Sequence, residues 1–160
     1  MTDPDSTDPD SQGSRIIQAR RYRWQGVPLR EYKTADDSFR GVTRQTLLDG
    51  DATQGLPFST RYFEVEAGGF TSLEYHQHTH PVVILRGTGE VLLERRVEAI
   101  APHDCIFIAP DTLHRFYAGP HEPLGFLCMV ASERDRPLQP DETQLRERLA
   151  GSSALRRLMP

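Results

Sequence analysis

"SLEYHQHTHPVVILRG", residues 72–87, places a histidine at every second position: His76, His78 and His80. Alternate residues of a strand project to the same side. The three imidazoles are therefore either three groups on one face of a single strand, or the two arms of a bend that joins only some of them. The run after them, "PVVILRG", is apolar, rich in β-branched residues and stopped by Gly87, as a buried strand running into a turn would be.

The pattern continues on both sides. "FSTRYFEVEAGG" from residue 58 is strand-like and ends on paired glycines, and "FTSLEYH" alternates. After Gly87 come "GEVLLE", then "CIFIAP" stopped by Pro110, then "HRFYAG" and "LGFLCMVAS", with Gly and Pro between them. Short strands at this spacing predict an all-β antiparallel sandwich or barrel. Upstream, "WQGVPLREYK" and "GVTRQTLL" read as edge strands around turns. Downstream, "PDETQLRERLAG" has Asp141 as an N-cap, acid early, base late and Gly151 as a stop, so a helix is expected there. "SSALRRLM" adds a further helical turn or two. The chain thus divides into a disordered acidic leader over 1–14, an arm with edge strands over 15–57, a barrel over 58–132 and a helical tail over 133–160.

Composition narrows the function classes. The 160 residues fit one domain, with 37% hydrophobic and 26% charged residues. The net charge is -4 and the Arg pairs are scattered, which argues against nucleic acid as a partner. No apolar run approaches the ~20 residues that span a bilayer. The N-terminus is the reverse of a signal peptide, so the cytoplasm is the expected compartment. Cys105 and Cys128 each lie in an apolar run and read as two buried thiols rather than a disulfide.

All six histidines lie between residues 76 and 121. Neutral imidazole is the commonest ligand of transition metals near neutral pH. "GGFTSLEYHQHTHPVVILRGTGEV" and "APHDCIFIAPDTLHRFYAG" resemble the first and second motifs of the cupin superfamily. That resemblance covers roughly residues 58–131, and it implies a double-stranded β-helix, the cupin jelly-roll barrel, and a bound metal. The family's first motif runs Gly, five residues, His-x-His, three or four residues, Glu, six residues, Gly. Counted back from Gly87, the position of the family's acid is held by His80, and the second His of the pair by His76. Counted forward from Gly68, the first His of the pair is replaced by Glu74. The second motif contributes His114. The implied metal ligands are Glu74, His76, His80 and His114, with the acid and one histidine exchanged relative to the family.

Strand geometry agrees with that division. Three histidines on one strand would spread over ~13 Å, four residues at ~3.3 Å each. An ion bound at ~2.1 Å by each ligand cannot bridge that distance. "QHT" is instead a polar turn: Glu74 and His76 close one strand, His80 opens the next with Val82 and Ile84 on its face, and His78 sits at the apex. His78 is then a surface group or an outer partner of the site, with a weak fourth or fifth ligand as the alternative. Alternation makes Phe116, Phe126 and Cys128 candidates for the pocket lining. Arg61 and Arg86 are possible anchors for an anionic substrate, with a surface position the commoner case. His103 and His121 read as exposed loop residues.

The resemblance implies a mononuclear metal enzyme, with Fe or Mn first and Ni, Co, Cu or Zn as alternatives. A dioxygenase-type oxidoreductase acting on a small organic molecule is the leading expectation. An isomerase, lyase or decarboxylase comes next, with His78 or a bound water moving protons. A non-catalytic small-molecule sensor is the other class. The arm, with Tyr22, Trp24 and Leu29, is expected to support a homodimer, since small cupins pair through such arms.

Overall fold

The computed structural model describes residues 13–32, 37–50 and 55–158. Most of the leader expected over 1–14 lies outside the described residues.

Every strand pairing is antiparallel. A small hairpin comes first, β1 (Ala19–Arg20) with β2 (Arg23–Trp24). The main sheet starts with β3 (Arg30–Glu31) and β4 (Arg40–Leu48), both from the weakly patterned region. β4 pairs with the long β5 (Phe58–Phe70), which also pairs with β11 (Leu124–Ala131) and, at its end, with β10 (His114–Ala118). Beyond β11 lie β6 (His80–Arg86) and β9 (Cys105–Ile108). Beyond β10 lie β7 (Gly89–Leu93) and β8 (Arg96–Ile100). The sheet curls on itself, so β5 belongs to both walls of the jelly roll that the strand pattern predicts.

Alternation decides what is inside. His80, Val82 and Ile84 of β6 are buried, as are Leu124, Phe126, Cys128 and Val130 of β11. These faces meet Val42, Phe63, Val65 and Phe116 in one core. A second core forms on the outside, where Leu92, Leu113 and Tyr117 pack under the two C-terminal helices through Leu149 and Ala154. These are α1 (Glu142–Leu149) and α2 (Ser153–Leu158). Asp141 caps α1 through a capping box with Gln144, and Gly151 follows the helix at φ +71°. Arg95 donates to the carbonyls of Arg148 and Ala150 and satisfies the helix end. The arm packs on the outer face of the sheet: Trp24 and Tyr22 lie against Tyr62, with ring centroids 4.7 and 6.1 Å away.

Two expectations change. Cys105 is exposed, not buried, because β9 alternates Cys105 and Phe107 outward with Ile106 and Ile108 inward. "FTSLEYH" is not a continuous strand. After Phe70 the chain makes only isolated bridges, Glu74 with His114 and Tyr75 with Leu138. The C-terminal tail takes one side of this segment, where a sheet strand would otherwise pair.

Candidate metal centre

Three segments bring their histidines to one point. His80 is the first residue of β6, His114 is the first of β10, and His76 follows the bridge between Glu74 and His114. All three are buried, and one ligand atom from each lies within 4.8 Å of the others. Their ring centroids are 4.9 to 5.4 Å apart. No strand could do this alone; a turn and a non-local pairing do it.

The hydrogen bonds show which nitrogens of His76 and His114 hold lone pairs. His76 Nδ1 lies 2.7 Å from the His78 carbonyl and His114 Nδ1 lies 2.9 Å from the Thr112 carbonyl. A carbonyl only accepts, so both Nδ1 atoms carry protons and both Nε2 atoms hold lone pairs. His80 Nδ1 is 3.1 Å from Cys128 Sγ, and in the tautomer that donates from Nδ1 to the sulfur its Nε2 has the same role. Three lone-pair donors facing one another suit a cation between them, with outer partners orienting each ring. The rings are also kept neutral. Burial, then mutual repulsion, pushes His80 far below its ordinary pKa; burial lowers His114 to about 4 and also lowers His76. Neutral imidazole is the form that binds a metal. The donor set therefore fits a divalent transition ion.

Glu74 lines the same cavity but stands apart from the three histidines. Its carboxylate accepts from Ser72 Oγ at 2.8 Å and from Tyr32 OH at 3.3 and 3.4 Å. His78 stacks on His76, with centroids 3.7 Å apart and planes 6° from parallel. Its Nδ1 lies 2.7 Å from Asp135 Oδ1, a carboxylate that also accepts from the backbone N–H groups of Gln77 and His78. The Gln77 N–H, then the His78 ring, holds the Asp135 carboxyl well below its usual range. His103 and His121 are exposed and far from this chemistry.

The cavity has a volume of about 510 Å³. Its apolar wall is the stack Phe63–Phe126–Phe116, with centroids 5.5 and 4.6 Å apart, and Cys128 stands beside it. Arg61 is half-buried in this wall, with Nη2 3.8 Å from Cys128 Sγ, rather than on the surface. Arg86 instead pairs with Glu64 at 3.2 Å and lies over Tyr22. Tyr32, Arg44, Arg134 and Asp135 also line the cavity and were not legible as site residues. Arg44 carried one signal: it lies two residues from the inward-facing Val42 on β4.

Comparison with known proteins places the chain. Residues 61–157 match the model of the AraC-like ligand binding domain. The chain is 48% identical over 126 residues to 1-methylthio-D-xylulose 5-phosphate methylsulfurylase of Rhodospirillum rubrum, covering 78% of this chain and 79% of that protein. A cupin-2 domain from the same organism superposes with a TM-score of 0.78 at 44% identity, over 91% of this chain and 95% of that one. A cupin 2 conserved barrel protein from Rhodopseudomonas palustris superposes at 0.76 with 42% identity, over 84% and 91%. The chain belongs to the cupin superfamily.

Proposed function

We propose that this cupin is a metal-dependent enzyme that removes the methylthio group from a small phosphorylated ketose. The observation that carries the reading is the position of Cys128. A buried thiol shares the cavity with three converging histidines and touches one of them. The relative's name supplies the substrate class: a ketone next to a carbon that bears CH3–S. His76, His80 and His114 would hold the ion, with Glu74 proposed as a fourth ligand. The ion would supply Lewis acidity at the ketone oxygen.

The chain's own residues would do the rest. His80 Nδ1–H and the Arg61 guanidinium both face Cys128 Sγ and favour its thiolate, against the burial that raises the thiol's pKa. The thiolate attacks the substrate sulfur. The bond from that sulfur to the sugar carbon breaks, and its electron pair passes to the carbon and the adjoining ketone as an enolate. Protonation of the carbon gives a methyl ketone, and His78, oriented by Asp135, is the candidate donor. Cys128 is left as a methyl disulfide, which a thiol from solution reduces to restore Cys128 and carry off CH3–S as a mixed disulfide. The phenylalanine wall keeps water from the enolate.

The test is turnover of 1-methylthio-D-xylulose 5-phosphate with an added thiol. The expected result is release of the methylthio group, lost in Cys128→Ser at unchanged metal content. Full activity in Cys128→Ser would sink the role of Cys128. The dioxygenase-type reading draws on the three-histidine set, which leaves coordination positions open. Oxygen uptake without release of the methylthio group would favour it. The sensor reading draws on the ligand-binding family model, and tight binding without turnover would favour that one.

A further inference from the structure

Beside the three histidines the same cavity presents a group of cations, of which the chemistry above uses only Arg61. Arg44 enters from β4 and Arg61 from the neighbouring β5, where Arg44 stands opposite Phe63 and Arg61 opposite Cys128. Arg134 comes from the segment after β11. The Nε atoms of Arg44 and Arg61 are buried without a hydrogen-bond partner. Among the described residues no carboxylate forms an ion pair with either guanidinium. The cavity's two carboxylates are engaged elsewhere, Glu74 with Ser72 and Tyr32, and Asp135 with His78 and Gln77. Arg134 donates to the carbonyls of Ala131 and Ser132 and feels Asp49 from a distance.

Such an arrangement is unfavourable in isolation. Burial, then Arg61, lowers the pKa of Arg44, and the same two causes lower that of Arg134. Arg44 and Arg61 are half-buried and each has an unused Nε donor, while Arg134 stands exposed at the rim. Half-buried guanidiniums that repel each other are retained when a ligand supplies the missing charge. A guanidinium fork fits the oxygens of a phosphate in paired hydrogen bonds, which a lysine cannot reproduce.

We propose that Arg44, Arg61 and Arg134 form a phosphate-monoester subsite in the cavity that holds the three histidines. The inference rests on the cavity being the substrate site. It adds an orientation to that reading. The phosphate end of the substrate lies against β4 and β5, and the opposite end reaches the histidines past Cys128. Arg61 is shared, touching the thiol and the phosphate.

The experiment is titration of metal-stripped protein with inorganic phosphate and with methyl phosphate at constant ionic strength, followed by calorimetry and by thermal midpoint. Stripping the metal removes the competing anion site. Both probes should bind and raise the midpoint. Arg61→Gln and Arg44→Gln should each weaken binding at least tenfold, and Arg61→Lys should restore only part of it. Without phosphate, the two glutamine variants should melt at or above the native temperature, since each removes an unpaired buried charge; this also confirms that they fold. Phosphate affinity unchanged in both variants would overturn the proposal, and so would acetate binding as tightly as phosphate. The two readings fail separately. Phosphate binding lost with the arginines, but no methylthio release, keeps the subsite and removes the reaction. Methylthio release with an unchanged KM in Arg44→Gln removes the subsite and keeps the reaction.

Discussion

Gly87 closes the stretch that first identified the barrel, and its replacement by alanine has a calculable effect. Its φ is +71°, a left-handed value that costs a residue with a Cβ about 1 kcal/mol. An added Cβ would also press on the Pro123 carbonyl oxygen, 2.9 Å from the carbonyl carbon and 3.1 Å from Leu124 Cα. These are backbone atoms, so no rotamer change relieves the contact. Shifting packed backbone costs roughly 1–3 kcal/mol more. Gly68 is the matched control: φ is +72° and nothing lies within 4 Å of its added Cβ. Gly68→Ala should therefore cost ~1 kcal/mol and Gly87→Ala ~2–4 kcal/mol. The effect of alanine on the unfolded chain is common to both and cancels in the comparison. In a chain of this size that separates the two melting temperatures by roughly 2–12 °C. Urea midpoints and thermal melts of both variants measure it. Metal content provides a second reading, because β6 carries His80 and the strand entered at Pro123–Leu124 carries Cys128. Equal losses in the two alanine variants would refute the close approach at Gly87.

Five further outcomes can be checked. His76→Ala, His80→Ala and His114→Ala should each cut metal affinity beyond the ~10–100-fold that loss of an outer partner costs; unchanged metal content in all three would end the site assignment. Glu74→Ala decides its role by the same scale, with a loss above that range making it a ligand and a loss within it an outer partner. Metal-free protein should lose stability as pH falls from ~6.5, where unfolded histidines protonate, toward about 4, where His114 begins to. The native pKa is the lower one, so the unfolded state takes up the protons first and stability falls with pH; the slope should shrink in His80→Leu and His114→Leu. Arg148→Ala removes a two-pronged contact with Glu94, both bonds 2.8 Å, and a bond to the Asp111 carbonyl. With both side chains partly exposed, a cost of about 1–2 kcal/mol is expected in denaturant melts. The homodimer expected from the arm is checked by light scattering at micromolar concentration, where a monomer would remove it.

Part of the architecture was legible because β-structure writes itself as a period of two. "PVVILRG" and "LGFLCMV" displayed their inward faces residue by residue, and the helix at Asp141 carried its own cap. The disposition of Cys105 was misread because an apolar neighbourhood does not say which way a strand's face is turned. The segment from Thr71 to His76 was misread because its partner is the tail at Leu138, 63 residues further along the chain than Tyr75. Local alternation contains no information about that contact.

The division within the candidate site follows the same line. The resemblance to the cupin motifs separated His76, His80 and His114 from His78, and strand geometry agreed, since a metal's short bonds forbid a ligand set spread along one strand. Only the tertiary structure shows that the Nδ1 atoms of His76 and His114 are bonded to carbonyls, that His80 Nδ1 lies against a thiol, and that one ligand atom of each ring comes within 4.8 Å of the others. The arginines show the limit most clearly. In the sequence Arg44, Arg61 and Arg134 are three ordinary cations in a chain with 19 Lys and Arg. What sets them apart is that, among the described residues, no carboxylate forms an ion pair with them, and that they lie near one another; both are properties of packing. Periodicity and motif resemblance are local, so the sequence determined the barrel and, through the resemblance, the three histidines. Charge pairing and burial depend on distant segments, so only the folded chain decided what surrounds them.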